Sequence, residues 1–534
     1  MEKYFLKGSE YLFEDKIKRI DSIGNTILDC AKREGFKQIS TPYFENYELY
    51  KNYDKLDRLN MTKVIDKDGK IIVLRPDATI PIAKIVSSKF EVTEVVKLCY
   101  LTTIFREYKS HKNYGRDFLQ GGVELFGADT SEVDYEIINL STKMLGKIGF
   151  SNIQIDIGNI AYQEGYFKSL NIEEDKKSKI KELIETKNIS DINEYLNTLN
   201  IGKEDKEFLN ILPKLFGDFD SIINIAKKYA KNNEMKYALL RMEEIHKFII
   251  EKNTNIKVKL DLSFTNSLNY YTDLIFKVYA GSLHVPVVSG GRCNKLSGDF
   301  GANRPCCGFG INVNLVDEYL QDGDYDEVIH IALAKGRVHK QAMKRFEECG
   351  LVFPEYSEKS RKLLFLDSSK KIEIILVKSQ DVPIYVENGA ADIGIVGNDV
   401  LLEDDYKVYE LMNLNIGICR MATAIIKGSK IDYNKKVLVA SKYPNITSRY
   451  FNNKGVTINL IKLNGSVELG PIVKLSDLIV DIVETGSTLK ENNLVEDEKI
   501  LDISSRLICN KVALKTKSKQ VENIMEILKT LELK

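Results

Sequence analysis

The chain has 534 residues, too many for one hydrophobic core, so two to four domains are expected. Its 77 Lys+Arg balance 77 Asp+Glu, which gives no electrostatic case for a nucleic-acid or acidic-membrane partner. The eight cysteines contain no C-x-x-C pair; neither a zinc site nor a disulfide framework is visible, and reduced thiols are expected.

The opening MEKYFLKGSEYLFEDK lacks the apolar core of a signal peptide. No uncharged apolar run approaches the roughly 18 residues a membrane helix needs, so a soluble, cytoplasmic protein is expected. KIKRIDSIGNTILDCAKREG predicts an amphipathic helix over about 14–34, and KQISTPYFE, 71–74 and 95–107 read as strands. The stretch 160–255 is charged and helical in period and reads as an insertion. KVKLDLSF, LIFKVYA and PVVSGGR return to strand patterns, and GFGINVNLVDEYL reads as a strand entering a helix. QDGDYD, residues 321–326, is short and acidic and marks a linker between domains 1–320 and 327–534. Beyond it, IHIALA, IEIILV, DIGIVG, KVLVAS, TINLIKL and LIVDIV alternate with helical segments, the pattern of mainly parallel α/β layers.

In the N-terminal half, LRPDATIPIA offers Asp77 and Thr79, and FREYKSHKNYGRDFLQGGVELFG offers Arg106, Gln120 and Glu124. Gln120 and Glu124 share a parity, so they face one side of a strand. SLNYYTDLIF adds Tyr270 and Tyr271, and VSGGRCNKL a Gly-Gly-Arg turn. Carboxylates, an amide and tyrosines together suit a cationic or polar amino acid; each piece alone reads equally as edge-strand polarity.

Taken together, these segments resemble the catalytic core of histidyl-tRNA synthetase, a class II fold, and the regulatory subunit of ATP phosphoribosyltransferase, its paralogue. The resemblance covers roughly residues 5–320. It implies a histidine pocket of Asp77, Thr79, Arg106, Gln120, Glu124, Tyr270 and Tyr271. Arg106 of the second class II motif is kept, followed by Glu107 and Tyr108. Asn266 stands where a synthetase has the Arg that meets the histidine carboxylate, and Leu315 where the third motif ends in an ATP-binding Arg. Losing two cations that stabilise triphosphate and acyl-phosphate charge argues against adenylation, and leaves histidine binding open.

In the C-terminal half, DLIVDIVETGSTLK ends a strand at Thr485-Gly486-Ser487-Thr488 and starts a helix. Backbone N–H groups at a helix start, a glycine and three hydroxyls make an anion site suited to a phosphomonoester; a plain capped helix reads the same way. Asp481 and Glu484 precede the turn, where carboxylates accept hydrogen bonds from sugar hydroxyls or help hold Mg²⁺. Lys335 and Arg337 flank Gly336 at a strand end, SRKL supplies Arg361, and SKYPNITSRYF offers Lys442, Asn445, Ser448 and Arg449.

With VPIYVENGAADIGIVGNDVLLE and LNGSVELGPIVKLSDLIVDIVETGSTL, residues 327–534 resemble short-form ATP phosphoribosyltransferase. The resemblance implies two lobes akin to periplasmic binding proteins, the second over about 425–505, and the conversion of ATP and phosphoribosyl diphosphate (PRPP) to N1-(5-phosphoribosyl)-ATP and pyrophosphate, with Mg²⁺. It implies catalytic roles for Lys335, Arg337, Arg361, Asp481 and Glu484. Asp481, Glu484, Thr485, Gly486, Ser487 and Thr488 would bind PRPP; Arg361, Lys378 and Glu468 would bind ATP. Lys378 replaces an Arg usual in the family, keeping the charge without the planar fork. No metal-ligand set is assigned.

The expected fold is therefore a multidomain α/β and α+β chain: a class II synthetase-like antiparallel core with a helical insertion, then a two-lobed α/β transferase. The two resemblances imply a natural fusion of regulatory and catalytic subunits. The first would mediate feedback inhibition by histidine, in a dimer or a tetramer of fused chains. A fused, active histidyl-tRNA synthetase and a non-catalytic ligand-binding protein are the alternatives.

Overall fold

The computed structural model describes residues 6, 8–51, 53, 61–106, 108–109, 114–252, 256–265, 270–280, 285–322, 328–357, 360–433 and 435–529. The chain divides into two compact units, Met1–Asp326 and Glu327–Lys534.

In the first unit the 3.6-residue spacing of apolar positions produces α1 (Glu14–Arg33), which buries Ile20, Ile23, Ile27, Leu28 and Ala31. Glu14 and Asp15 in its first turn and Lys32 and Arg33 in its last complement the helix dipole. Further helices are α2 (Thr79–Lys89), α3 (Ser131–Ile148), α4 (Asn233–Lys252) and α5 (Val313–Asp322). Strands β1 (Lys37–Gln38), β2 (Val96–Ile104), β3 (Phe118–Phe126), β4 (Ile153–Asn159), β5 (Phe216–Asp218), β6 (Lys257–Asp261), β7 (Leu274–Ala280), β8 (Val288–Arg292) and β9 (Cys306–Asn312) share one sheet. Their order is β1-β2-β3-β9-β8-β7-β4-β6-β5. The run from β2 to β4 is antiparallel throughout.

Three expectations are corrected here. The insertion over 160–255 is not wholly helical: β5 lies within it and pairs with β6, Phe216 opposite Asp261. The expected linker 321–326 loses its first two residues to α5, which continues to Asp322; the second unit starts at Glu327, and residues 323–327 lie outside the described residues. Cys293 and Cys306 are joined as a disulfide, with Cα atoms 5.1 Å apart. The antiparallel return of β8 into β9 puts Arg292 opposite Cys307, and so brings cysteines 13 residues apart face to face.

Charge, as well as apolar packing, ties α3 and α4 to the sheet. Asp134 of α3 accepts from Arg292 Nε at 2.5 Å and from Arg241 Nε of α4 at 2.7 Å. Arg241 also reaches Asp129 at 2.7 Å. Asp134 and Arg292 are wholly buried, so each ion is stable there only because the other neutralises it.

The second unit folds as two lobes. Lobe 1 holds β10 (Ile329–Ala334), β11 (Leu364–Leu366), β12 (Ile372–Val377), β13 (Ile393–Gly397), β14 (Tyr409–Asn413) and the late β20 (Ser505–Cys509), in the order β11-β12-β10-β13-β20-β14. Lobe 2 holds β15 (Cys419–Ile426), β16 (Val437–Ser441), β17 (Ile458–Lys462), β18 (Leu478–Val483) and β19 (Leu494–Ile503), in the order β17-β16-β18-β15-β19. Its span is thus 419–503; the expected 425–505 cut into β15. Helices α6 (Arg337–Glu348), α7 (Asn398–Glu403), α8 (Pro444–Asn453) and α9 (Ser487–Glu491) follow β10, β13, β16 and β18.

The expected parallel layers hold for β12-β10-β13 and β17-β16-β18. The remaining strands are antiparallel for a topological reason. The chain leaves lobe 1 through β14 into β15 and returns through β19 into β20, and the outward and returning strands pair in both lobes.

Replacing Asp134 with Ala leaves Arg292 buried without its nearest carboxylate. Urea unfolding of the full chain should show the N-terminal transition destabilised by about 3–5 kcal/mol, with the C-terminal transition unmoved as an internal control.

Candidate functional site

In the N-terminal unit, polar side chains from separate segments converge on one face of the sheet. Asp77 ends the approach to α2, where its Oδ1 accepts from Ile80 N at 3.0 Å. Thr79, first residue of α2, donates to Glu124 Oε1 at 2.5 Å. Strand alternation turns Gln120 and Glu124 of β3 to the same side, and Tyr100 of β2 donates to Gln120 Oε1 at 3.2 Å. The Tyr270 hydroxyl donates to Asp77 Oδ2 at 3.4 Å. Asp77, Thr79, Arg106, Gln120, Glu124, Tyr270 and Tyr271 all line a single cavity of about 60 Å³.

Its floor is made of glycine. Gly308 of β9 lies opposite Glu124, and a Cβ there would overlap the Glu124 carboxylate; one on Gly310 would overlap the Gln120 amide. Bare backbone lets these side chains lie flat across the sheet. Neither glycine was singled out from the sequence, although Gly in a strand is a recognised sign of close approach.

The cavity holds two carboxylates and one guanidinium. Burial pushes the Glu124 carboxyl up to about 8, helped by Asp77 and opposed by the Thr79 bond. Burial also raises Asp77, against the Ile80 N–H bond and the Arg106 charge. A cationic ligand group would relieve both carboxylates at once. Asn266 and Glu107 lie outside the described residues. Leu315 packs in the core of the unit at 6% exposure, so α5 offers no cation at that position.

In the C-terminal unit the candidate residues form two sets, one per lobe, both at the carboxyl ends of parallel strands. In lobe 1, Lys335 follows β10, where its N–H donates to Val377 O at 2.9 Å, and Lys378 follows β12. Antiparallel β11 faces β12 with Leu364 opposite Ile375, and continuing that register brings Arg361 level with Lys378. All three are exposed. Arg337 opens α6; its side chain lies outside what is described.

In lobe 2, Asp481 of β18 is three residues ahead of Glu484 and the turn. Gly486 adopts φ 73°, the left-handed conformation that glycine tolerates best, and caps α9. Thr485 Oγ1 and Ser487 Oγ lie 2.9 Å apart, and Ser487 N donates to Thr485 Oγ1 at 3.4 Å. Glu484, Thr485, Ser487 and Thr488 are exposed. Burial raises the Asp481 carboxyl; its bond from Ile482 N opposes this, nearby Glu468 adds to it, and Lys442 opposes it. Strand order reverses between β10 and β13 and again between β16 and β18. Both sets therefore lie at topological switch points, where open α/β sheets bind ligands.

The lobes are tied together at those ends. Tyr443, just after β16, donates to Asp399 of α7 at 3.0 Å, both buried. Glu403 at the end of α7 accepts from Asn445 N at 2.8 Å and Ile446 N at 3.0 Å, capping α8. Arg449 donates to Leu402 O. Asn445 and Arg449, offered by SKYPNITSRYF, thus dock α8 on α7. Arg420 was not anticipated either: it pairs with Glu496 at 2.6 Å and donates to Glu484 O at 3.4 Å, steadying the approach to the turn.

A family model described as histidyl-tRNA synthetase matches residues 8–316, and one described as ATP phosphoribosyltransferase matches residues 378–530. ATP phosphoribosyltransferase of Clostridium botulinum is 49% identical over 209 residues, covering 98% of that protein and 38% of this chain. That of Bacillus cereus is 46% identical over 200 residues, covering 95% of it and 38% of this chain. A solved ATP phosphoribosyltransferase regulatory subunit/histidyl-tRNA synthetase from Bacillus halodurans C aligns with a TM-score of 0.55 at 25% identity, over 70% of this chain and 92% of that one.

Glu124 carries a pH signature. Its folded value of about 8 exceeds the ordinary 4.5, so the folded state holds the proton more tightly and stability falls as pH rises from about 4.5 to about 8. Denaturant midpoints across that range should show this slope, and Glu124→Gln should flatten it; an unchanged slope in the variant would place the titration elsewhere.

Proposed function

We propose, starting from a chain that belongs to the ATP phosphoribosyltransferase family in its C-terminal unit and to the histidyl-tRNA synthetase family in its N-terminal unit, that the N-terminal unit governs the transferase activity by sensing histidine. The C-terminal unit is an ATP phosphoribosyltransferase, a transferase of histidine biosynthesis. The N-terminal unit is a synthetase-like regulatory domain fused to it.

The reaction joins adenine N1 of ATP to C1 of the PRPP ribose and expels pyrophosphate. The nucleophile is a neutral ring nitrogen that needs little activation. The barrier lies in breaking the C1–O bond, which builds positive charge on the ribose and negative charge on the leaving diphosphate. Thr485, Gly486, Ser487 and Thr488 hold the 5-phosphate through hydroxyls and backbone N–H groups. Asp481 and Glu484 orient the ribose hydroxyls, and Asp481 faces the developing positive charge. Lys335, Arg361 and Lys378 meet the polyphosphates from lobe 1, with Arg337 beginning the next helix and Glu468 beside Asp481. Catalysis is then mostly positioning. The observation that carries this reading is the pairing of switch points: cations end the parallel strands of one lobe, while carboxylates and a hydroxyl-rich turn end those of the other.

Among the described residues no three potential metal ligands converge. Burial and nearby Glu468 raise the Asp481 carboxyl, and such neighbouring carboxylates suit Mg²⁺, which binds through substrate phosphates and one or two carboxylates; Asp481 and Glu468 are the residues that would share it. When bound it would neutralise charge on the departing diphosphate.

For the sensor, the buried Asp77 and Glu124 support a cationic ligand, and the seven-residue lining supports histidine as the inhibitor. Leu315, a core side chain, speaks against adenylation, and a turn built for a phosphate speaks against a purely binding role. Among the described residues no helix is long and apolar enough to cross a membrane. We place the protein in the cytoplasm as a homo-oligomer, a dimer or a tetramer of fused chains, without nucleic acid.

Gly486→Asp sets a side chain at positive φ and a negative charge in the phosphate turn. Pyrophosphate release should fall by about 100-fold or more, and near-normal turnover would remove the turn from the PRPP site. Glu124→Gln should raise the histidine concentration for half-inhibition about tenfold and leave uninhibited turnover unchanged; unaltered inhibition would move the sensor elsewhere.

A further inference from the structure

Lys442 follows β16 directly and is half-buried. β16 and β18 run parallel with Ser441 opposite Val480, so one more step along each strand sets Lys442 beside Asp481. Its backbone is pinned on both sides. Ser441 Oγ donates to Val480 O at 2.8 Å and accepts from Tyr443 N at 2.9 Å. The Tyr443 hydroxyl is held in turn by Asp399 of the other lobe.

The ammonium itself is uncommitted. It lies 5.9 Å from the centre of the Tyr443 ring and makes no ion pair among the described residues. Yet its charge is felt by two carboxylates, Asp481 and Asp399, one from each lobe. A lysine placed by its neighbours and paired with neither acid is preorganised for a third anion.

We infer that Lys442 is a further substrate ligand, contacting the leaving diphosphate of PRPP, and that the Asp399–Tyr443 hydrogen bond positions it. The inference rests on the transferase reading above. The diphosphate follows from the geometry of the strand ends. The 5-phosphate turn lies beyond β18, and Asp481, assigned to the ribose hydroxyls, lies short of it. Lys442 is lateral to Asp481 and next to the residue bonded to lobe 1, the side from which Lys335, Arg361 and Lys378 come. A cation there meets the C1 substituent, at the opposite end of the ribose from the 5-phosphate.

The test compares full-length Lys442→Met, Lys442→Arg and Tyr443→Phe with the parent and with Gly486→Asp. In Lys442→Met the KM for PRPP and the inhibition constant for pyrophosphate should both rise about tenfold or more, while the KM for ATP stays unchanged. Lys442→Arg should restore most of the loss, and Tyr443→Phe should shift the same two constants less. Should Lys442→Met melt early, Lys442→Gln is measured in its place. Unchanged PRPP and pyrophosphate constants, or a fall in kcat alone, overturn the assignment. If Gly486→Asp is dead while Lys442→Met is normal, only Lys442 is misassigned. If Gly486→Asp is active, the PRPP site itself is misplaced.

Discussion

When β16 and β18 lie side by side in parallel, their connections must leave in opposite directions, and the backbone between their carboxyl ends stays uncovered. That constraint organises the C-terminal unit. It aligns Asp481 with Lys442 and sends β18 into the hydroxyl-rich turn at Thr485–Thr488. Lobe 1 repeats the arrangement with β10 and β13, and α7 leaving β13 supplies Asp399, which meets Tyr443. The lobes join at the carboxyl ends of the parallel strands in both sheets.

The N-terminal unit solves a different problem, that of keeping charge inside a sheet protein. One solution is neutralisation: Asp134 is wholly buried because Arg241 and Arg292 both bond to it. The other is a deliberate imbalance: Asp77 and Glu124 share a small cavity with Arg106, and Glu124 holds its proton near neutral pH. The first arrangement is a structural anchor. The second penalises the ionised form of Glu124, and this difference separates the cavity from the scaffold within one domain.

Much of this was legible in the sequence where function and fold use the same signal. IHIALA, IEIILV and LIVDIV are apolar because they are central parallel strands, and the candidate residues sit at their ends. β19 was missed because LVEDEKILDI is an edge strand whose run of charges falls on both faces and breaks the apolar pattern. The partnership of β14 and β20 appears only once the chain has crossed lobes twice. The cavity residues were each too ordinary to stand out, and resemblance assembled them; the glycines that make room for them were overlooked. Asp399 and Tyr443 are 44 residues apart in separate segments, so only the tertiary structure could pair them. The Cys293–Cys306 link was hidden in the same way.

Residues 323–327 separate the described parts of the two units. Both units are carried on one polypeptide. Separate regulatory and catalytic polypeptides must be made in matched amounts and reassociate after every dilution. Here each transferase unit is synthesised with its own synthetase-like regulatory unit, so the stoichiometry of the two is one to one at any expression level.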